Sequence, residues 1–180
     1  MKRILDKKLL RAYIDKHNIE EIFHEDLNKI MELHYYEKNE SIFSNLECYY
    51  LLVEGRVRIS YLFENGKAMI LKVYRPFNTI GDLELLKGQP ITCDIEAMED
   101  TYLIAISSDI LRRAYLDNPQ FLRHLVDTLS EKLHATINNS SYNFVYPLIN
   151  RLSSYLVDCL GDKGYIDITS SLLQISQFLG

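Results

Sequence analysis

YYLLVEGRVRISYLFENGKAMILKV, residues 49–73, carries the pattern that decides the architecture. An apolar run, Tyr49–Val53, is closed by Glu54-Gly55. Val57, Ile59 and Tyr61 then alternate with Arg56, Arg58 and Ser60, the period of two of a strand with one buried face. Asn65-Gly66 stands before a further apolar run, Ala68–Val73. Asn-Gly accepts the positive φ angles of a type I′ turn, so a β-hairpin is expected at this point.

Working outward, the same signal continues downstream. Gly81, Gly88-Gln89-Pro90 and Glu99-Asp100 punctuate short apolar segments, and Tyr102–Ile106 reads as the last strand. Short strands spaced by turn residues predict a closed or double-layered antiparallel β domain, beginning near Tyr35. On either side the period changes to that of a helix. Residues 3–33 read as helical from Ile4, Leu5, Leu9, Ile14, Ile19, Ile22, Phe23, Leu27 and Ile30, with a break at His17-Asn18 and a new turn at His24-Glu25-Asp26. Ser108-Asp109 are capping residues for a short helix, Ile110–Leu116.

Asp117-Asn118-Pro119 then opens a long helix, with Asn118 as cap and Pro119 just inside. Phe121, Leu122, Leu125, Leu129, Leu133, Ile137, Phe144 and Val145 trace its apolar stripe. From 118 to 146 such a helix is on the order of 40 Å long. A domain this small cannot cover all of it, so pairing with a second copy is expected through Phe121, Leu122, Leu125, Leu129, Leu133 and Ile137; packing back on its own β domain is the other possibility. Pro147 should break this helix, and Leu148–Leu160 forms the next, ended by Gly161. After Gly164, Ile166 and Ile168, the Thr169-Ser170-Ser171 cluster should cap a last helix through Ile175 and Phe178 to Leu179-Gly180. A functional module seldom stops immediately after a helix-ending glycine, so the sequence is expected to be cut there. The expected class is α+β: a jelly-roll β domain (a double-stranded β-helix, or β-roll) flanked by helices, followed by a long dimerisation helix.

Composition narrows the function. Lys+Arg number 20 against 25 Asp+Glu, a net charge of −5, and no segment forms a basic stripe. Phosphate neutralisation supplies most non-specific nucleic-acid affinity, so these residues show no DNA-binding face of their own. No apolar run is long enough to span a membrane, and the charged N-terminus does not resemble a secretory signal, which predicts a cytoplasmic protein without a membrane partner. Cys48, Cys93 and Cys159 are too scattered for a disulfide framework or a zinc cluster. The five histidines, His17, His24, His34, His124 and His134, have no metal-ligand spacing and are expected on surfaces or interfaces. No Gly-x-Ser-x-Gly, His-Glu-x-x-His or convincing carboxylate pair is present, so neither catalysis nor a cofactor or metal is expected.

Three strings carry a family resemblance. Tyr49–Val57 looks like the apolar strand, glycine turn and following strand of the Crp/Fnr superfamily of bacterial transcription regulators. Ile80-Gly81-Asp82-Leu83-Glu84-Leu85-Leu86 is similar to that family's phosphate-cassette opening, usually Ile-Gly-Glu. Pro147-Leu148-Ile149-Asn150-Arg151-Leu152 resembles the helix after its dimer helix. The likeness spans about residues 34–180. Phe121-Leu122-Arg123 and residues 146–152 resemble most the YeiL-type branch, and residues 169–180 resemble the first helix of the family's winged helix-turn-helix. The implied organisation is a cyclic-nucleotide-binding-like domain over 1–146, its dimer helix at about 118–146, and an incomplete DNA-binding domain over 147–180.

The resemblance also implies an effector pocket made of Gly81, Asp82, Leu83, Glu84, Ile91, Thr92 and Thr136. In nucleotide-binding members an acidic residue holds the ribose hydroxyl, an Arg pairs with the cyclic phosphate, the next Ser or Thr adds a hydrogen bond, and a Thr on the dimer helix meets the base. Here Asp82 replaces the usual Glu and Ile91 falls at the Arg position, with one residue deleted from the loop. Thr92 and Thr136 match the hydroxyl residues. Loss of a guanidinium–phosphate pair removes roughly 1.5–3 kcal/mol, so tight binding of cyclic AMP or cyclic GMP is not expected. Asp82 and Glu84 read as extra negative charge near the pocket or as a solvated turn or local cap. An Fnr-like iron–sulfur cluster lacks its clustered thiols. Cys48 and Cys93, both expected on strands, could instead face each other as a redox pair, with inert buried thiols the simpler reading.

Two functions follow. One is the effector-sensing and dimerisation part of a Crp/Fnr-type regulator, a homodimer with an unidentified small-molecule effector or none, which meets DNA only in the full-length protein. The other is a stand-alone small-ligand or protein-interaction module.

Overall fold

The computed structural model describes residues 1–23, 30–42, 47–65, 68–88, 93–158 and 172–179. In chain order the elements are β1 (Lys2–Ile4), α1 (Lys7–Lys16), α2 (Glu20–Phe23), β2 (Met31–Tyr36), β3 (Cys48–Glu54), β4 (Val57–Leu62), β5 (Ala68–Tyr74) and β6 (Thr79–Ile80). They continue as α3 (Asp82–Lys87), β7 (Asp94–Ala97), β8 (Thr101–Ser107), α4 (Ser108–Ala114), α5 (Pro119–Val145), α6 (Leu148–Asp158) and α7 (Leu172–Leu179). The strands make two antiparallel sheets, in the orders β1-β2-β8-β3-β6 and β5-β4-β7.

Period-two geometry explains the layering. Successive side chains of β3 go to opposite faces: Tyr50 and Leu52 enter the space between the sheets, while Tyr49, Leu51 and Val53 face the helices outside. β8 does the same, with Leu103 and Ala105 inward and Ile104 and Ile106 outward. Val57, Tyr74, Ile95 and Ala97 of the smaller sheet close the inner core. The outer core is covered by Leu10, Tyr13 and Ile14 of α1, Phe23 of α2, Leu111 of α4, and Phe121 and Leu125 of α5. A strand buried on both faces reads as an unbroken apolar run, which is the reason Tyr49–Val53 lacks alternation.

The β4–β5 hairpin forms in the expected place, with Leu62 opposite Ala68. The pairing jumps from Ile59↔Lys72 to Ser60↔Ile70, so Leu71 is the extra residue of a β-bulge and is 42% exposed. Gly66, and with it the turn type, lies outside the described residues. At the β3–β4 turn Gly55 has φ +92°, and a Cβ there would stand 2.4 Å from Thr101 Oγ1 and 2.8 Å from the Asp100 carbonyl. Gly55→Ala is therefore expected to lower the unfolding free energy by about 1–3 kcal/mol, measured by urea denaturation.

Several expectations are corrected. The N-terminal region is not helical throughout 3–33: Lys2–Ile4 pairs with β2, whose strand already starts at Met31 rather than near Tyr35. β2 lies between β1 and β8 with both faces largely covered, so its apolar spacing does not alternate. α4 begins at Ser108, two residues earlier than expected. Cys93 lies just before β7 rather than on a strand. His34 is buried at 6% exposure within its own chain, against the expectation of a surface or interface site. The His24-Glu25-Asp26 turn, Cys159, Gly161 and residues 164–171 fall outside the described residues.

α5 has 27 residues, about 40 Å. Asn118 caps it through Oδ1, which accepts from the Gln120 and Phe121 amides at 3.0 and 3.1 Å. Tyr146 and Pro147 separate it from α6, whose start is tied by the Asn150 and Arg151 amides donating to the Pro147 carbonyl at 3.0 and 3.2 Å. The Arg151 guanidinium donates to the Leu179 carbonyl at the end of α7. α7 lies against β5, and its Ile175 and Leu179 are buried. Among the described residues no helix is long and apolar enough to cross a membrane.

Candidate functional site

The candidate site is built around the turn between β6 and α3. β6 runs antiparallel to β3, placing Thr79 opposite Leu51 and Ile80 opposite Tyr50. The chain must then turn sharply against the β3 backbone. Gly81 makes this turn at φ +90°, where a Cβ would approach the Cys48 carbonyl to 2.8 Å. α3 follows at once and ends at Gly88, whose amide donates to the Glu84 carbonyl at 2.9 Å. Arg112 of α4 holds the far end of α3: its Nε donates to the Leu85 carbonyl and Nη2 to the Glu84 carbonyl, each at 3.1 Å. A cation on these C-terminal carbonyls suits the helix dipole.

Asp82 and Glu84 are 4% and 7% exposed, so neither belongs to a solvated turn. The partner of Asp82 comes from the long helix. Lys132 Nζ donates to Asp82 Oδ2 at 2.6 Å, to the Thr79 carbonyl at 2.9 Å and to Thr79 Oγ1 at 3.2 Å. These three acceptors match the three protons of an ammonium group. Asp82 Oδ1 accepts from the Leu83 amide at 3.1 Å, and the Thr79 hydroxyl donates to Oδ2 at 3.4 Å. The ammonium also lies 5.1 Å from the centre of the Tyr74 ring, close enough for a cation–π contact. Burial raises the Tyr74 phenol well above its ordinary pKa, and the carboxylate of Asp82 adds to that shift.

The sequence-predicted pocket is thus only partly assembled. Gly81, Asp82 and Glu84 stand together, whereas Leu83 is 41% exposed on the outer side of α3. Ile91 and Thr92 lie outside the described residues. Thr136 is exposed one turn beyond Lys132, and its hydroxyl donates to the Lys132 carbonyl at 2.8 Å. Cys48 and Cys93 are free thiols, and burial pushes both above the ordinary thiol pKa, which disfavours the reactive thiolate. Among the described residues no cluster of His, Cys, Asp or Glu could hold a metal ion.

The dimer stripe divides into two faces. Phe121 is fully buried, with its ring centre 5.1 Å from Phe23, 6.0 Å from Tyr49 and 6.4 Å from Tyr115, and Leu125 is 2% exposed. Both pack inside their own chain, a correction to their place among the dimerisation residues. Leu122, Leu133 and Ile137 are 37%, 61% and 53% exposed, and Leu129 is half-buried. At about 100° per residue, Leu122, Val126, Leu133 and Ile137 fall within roughly 60° of one another. Lys132 falls between Phe121 and Leu125, on the face turned to the β domain. Near the start of α5, His124 Nε2 lies 3.3 Å from the Tyr49 hydroxyl, and burial lowers the His124 pKa.

Lys132, Thr79, Tyr74 and Arg112 were not among the expected site residues. A helical projection could have signalled Lys132, because it puts a lysine on the same face as two core residues. The remaining three carry no local sequence signal.

Comparison with known proteins adds to this geometry. Residues 33–118 match the family described as Cyclic nucleotide-binding domain. The regulatory protein YeiL of Escherichia coli O157:H7 is 28% identical over 108 residues, 60% of this chain and 49% of YeiL. A CRP-like cAMP-activated global transcriptional regulator of Mycobacterium tuberculosis is 22% identical over 138 residues, 73% of this chain and 62% of that protein. The structure of a transcriptional regulator of the CRP/FNR family from Thermus thermophilus superposes with a TM-score of 0.66 at 20% identity, covering 81% of this chain and 76% of that one. The chain spans about half the length of the first of these relatives.

Proposed function

We propose that this chain, whose residues 33–118 match the family described as Cyclic nucleotide-binding domain and whose fold is like that of a solved CRP/FNR regulator, is the effector-sensing and dimerisation part of a Crp/Fnr-type transcription regulator. The observation that carries this reading is the divided long helix. One face of α5 seats Phe121, Leu125 and Lys132 on the β domain, while the other exposes Leu122, Val126, Leu133 and Ile137. An apolar face of this length, displayed outward, fits a second copy of the same helix in a homodimer. On this reading residues 1–146 sense and dimerise in the cytoplasm, and residues 147–180 begin the helix-turn-helix. On this reading the 180-residue chain, with a net charge of −5, is expected to dimerise without sequence-specific DNA binding of its own. Light scattering at tens of micromolar should give a dimer; a monomer would overturn the assignment.

The packing of α7 against β5 favours a second reading, a stand-alone interaction module in which α7 only completes the packing. The coding sequence after Gly180 separates the two: a polar turn and an Arg-rich helix support the regulator, and a stop codon supports the module.

The pocket is not suited to a cyclic nucleotide. Asp82 matches the residue expected to hold a ribose hydroxyl, yet its carboxylate is engaged by Lys132 at 2.6 Å. A nucleotide using it must break that pair, and Ile91 stands at the Arg position that would face the phosphate. Calorimetric titration with cyclic AMP and cyclic GMP is expected to show no micromolar binding; a micromolar dissociation constant for either would contradict this.

A further inference from the structure

Lys132 couples two parts of the molecule that a ligand-gated sensor leaves for its ligand to couple. Its helix, α5, is seated on the β domain at Phe121 and Leu125 and displays the proposed dimer face. Its ammonium reaches Asp82 of α3 and Thr79 of β6, where the family resemblance places the effector pocket. The second seat lies about 16 Å along the helix from Phe121, since eleven residues separate them. The side chains of the pair are only 17% and 6% exposed. Screening by water and salt is weak at such a site, and an unpaired charge left there is costly.

We propose that the Lys132 ammonium is a built-in effector: a cation of the chain's own that clasps α3 to α5 and holds the receptor in one arrangement without a small molecule. This deepens the reading of a sensor–dimerisation unit and rests on it. A ligand shifts a receptor only by binding one arrangement better than another. Lys132 is tethered beside Asp82, so its effective concentration is permanently high and no free ligand need supply the bias. Each ammonium proton has its own acceptor, and both oxygens of Asp82 are engaged. An effector entering at Asp82 would have to replace the whole set.

The test is hydrogen–deuterium exchange on the 180-residue chain, comparing wild type with Lys132→Met, Asp82→Asn and the double variant. Either single change is expected to speed amide exchange at least about tenfold across residues 79–87 and in the α5 turn around residue 132. Exchange in β1 and α1 should stay as in wild type, which separates release of the clasp from general destabilisation. The double variant should exchange no faster than the faster single one, because both changes remove the same interaction. Unchanged protection of residues 79–87 in Lys132→Met, or additive acceleration in the double variant, would overturn the proposal. So would a clear slowing of α3 exchange in the wild type on adding 1 mM cyclic AMP or cyclic GMP, since the clasp is then not self-sufficient. Light scattering on the same samples keeps the two readings apart: monomeric wild type with a clasp-dependent α3 defeats the dimer assignment alone.

Discussion

Phe121→Ala is expected to lower the unfolding free energy by about 3–5 kcal/mol, the range for emptying a fully packed aromatic site. The Phe121 side chain is completely buried, and three aromatic rings from α2, β3 and the end of α4 surround it. Those rings are held by different elements, so they cannot all move to fill the space, and the cavity term adds to the lost transfer energy. The adjacent Leu122→Ala should cost under about 1 kcal/mol in a monomer, because that side chain is already 37% exposed. Urea unfolding of both variants, each made in the Leu133→Glu/Ile137→Glu background that is expected to be monomeric, reads the contrast without the dimer contact of Leu122. Equal losses at the two positions would show that α5 does not present an inner and an outer face as described. A small loss for Phe121→Ala would show that the helix is not seated at its first turns.

The sequence announced the β domain where backbone geometry leaves a local mark. Gly55 and Gly81 are read from their neighbours because each occupies a left-handed turn pressed against another strand. The Asn118 cap and the Pro147 break are likewise local, and both appear where expected. The N-terminal strands were missed for a tertiary reason. β2 is sandwiched between two strands and covered on both faces, so Met31, Leu33, His34 and Tyr36 are buried together and the run has neither a clean period of two nor one of 3.6. β1 is only three residues long and owes its strand to pairing with β2.

The site divides along the same line. Gly81, Asp82 and Glu84 are contiguous and legible as a motif. The ammonium that meets Asp82 is fifty residues downstream. Lys132 sits between Glu131 and Leu133, and in linear sequence it looks like one more charge on an exposed helix. Only its angular position, in register with Phe121 and Leu125, sets it apart. Spacing alone reads one apolar stripe where the helix has two faces, since intervals of three and four residues cannot separate faces centred about 110° apart when both are apolar. Burial decides between them, and burial comes from the β domain.

The outer face leads to the largest expected change in assembly. Leu133→Glu combined with Ile137→Glu should convert the proposed homodimer to a monomer of 21.1 kDa, with the dissociation constant raised at least about a thousandfold. The two positions are four residues apart, one turn along the same face, and are 61% and 53% exposed. In a dimer related by two-fold symmetry each substitution appears twice, so four carboxylates would be forced into one apolar seam beside one another. In the isolated chain the same side chains point to water, and the inner contacts of Phe121, Leu125 and Lys132 are untouched. Circular dichroism should therefore retain the helical and strand content of the wild type while light scattering reports half the mass. A double variant that stays dimeric would move the interface elsewhere on the molecule. A variant that loses its secondary structure would mean that this face is already covered within one chain, contrary to the exposure of Leu122, Val126, Leu133 and Ile137.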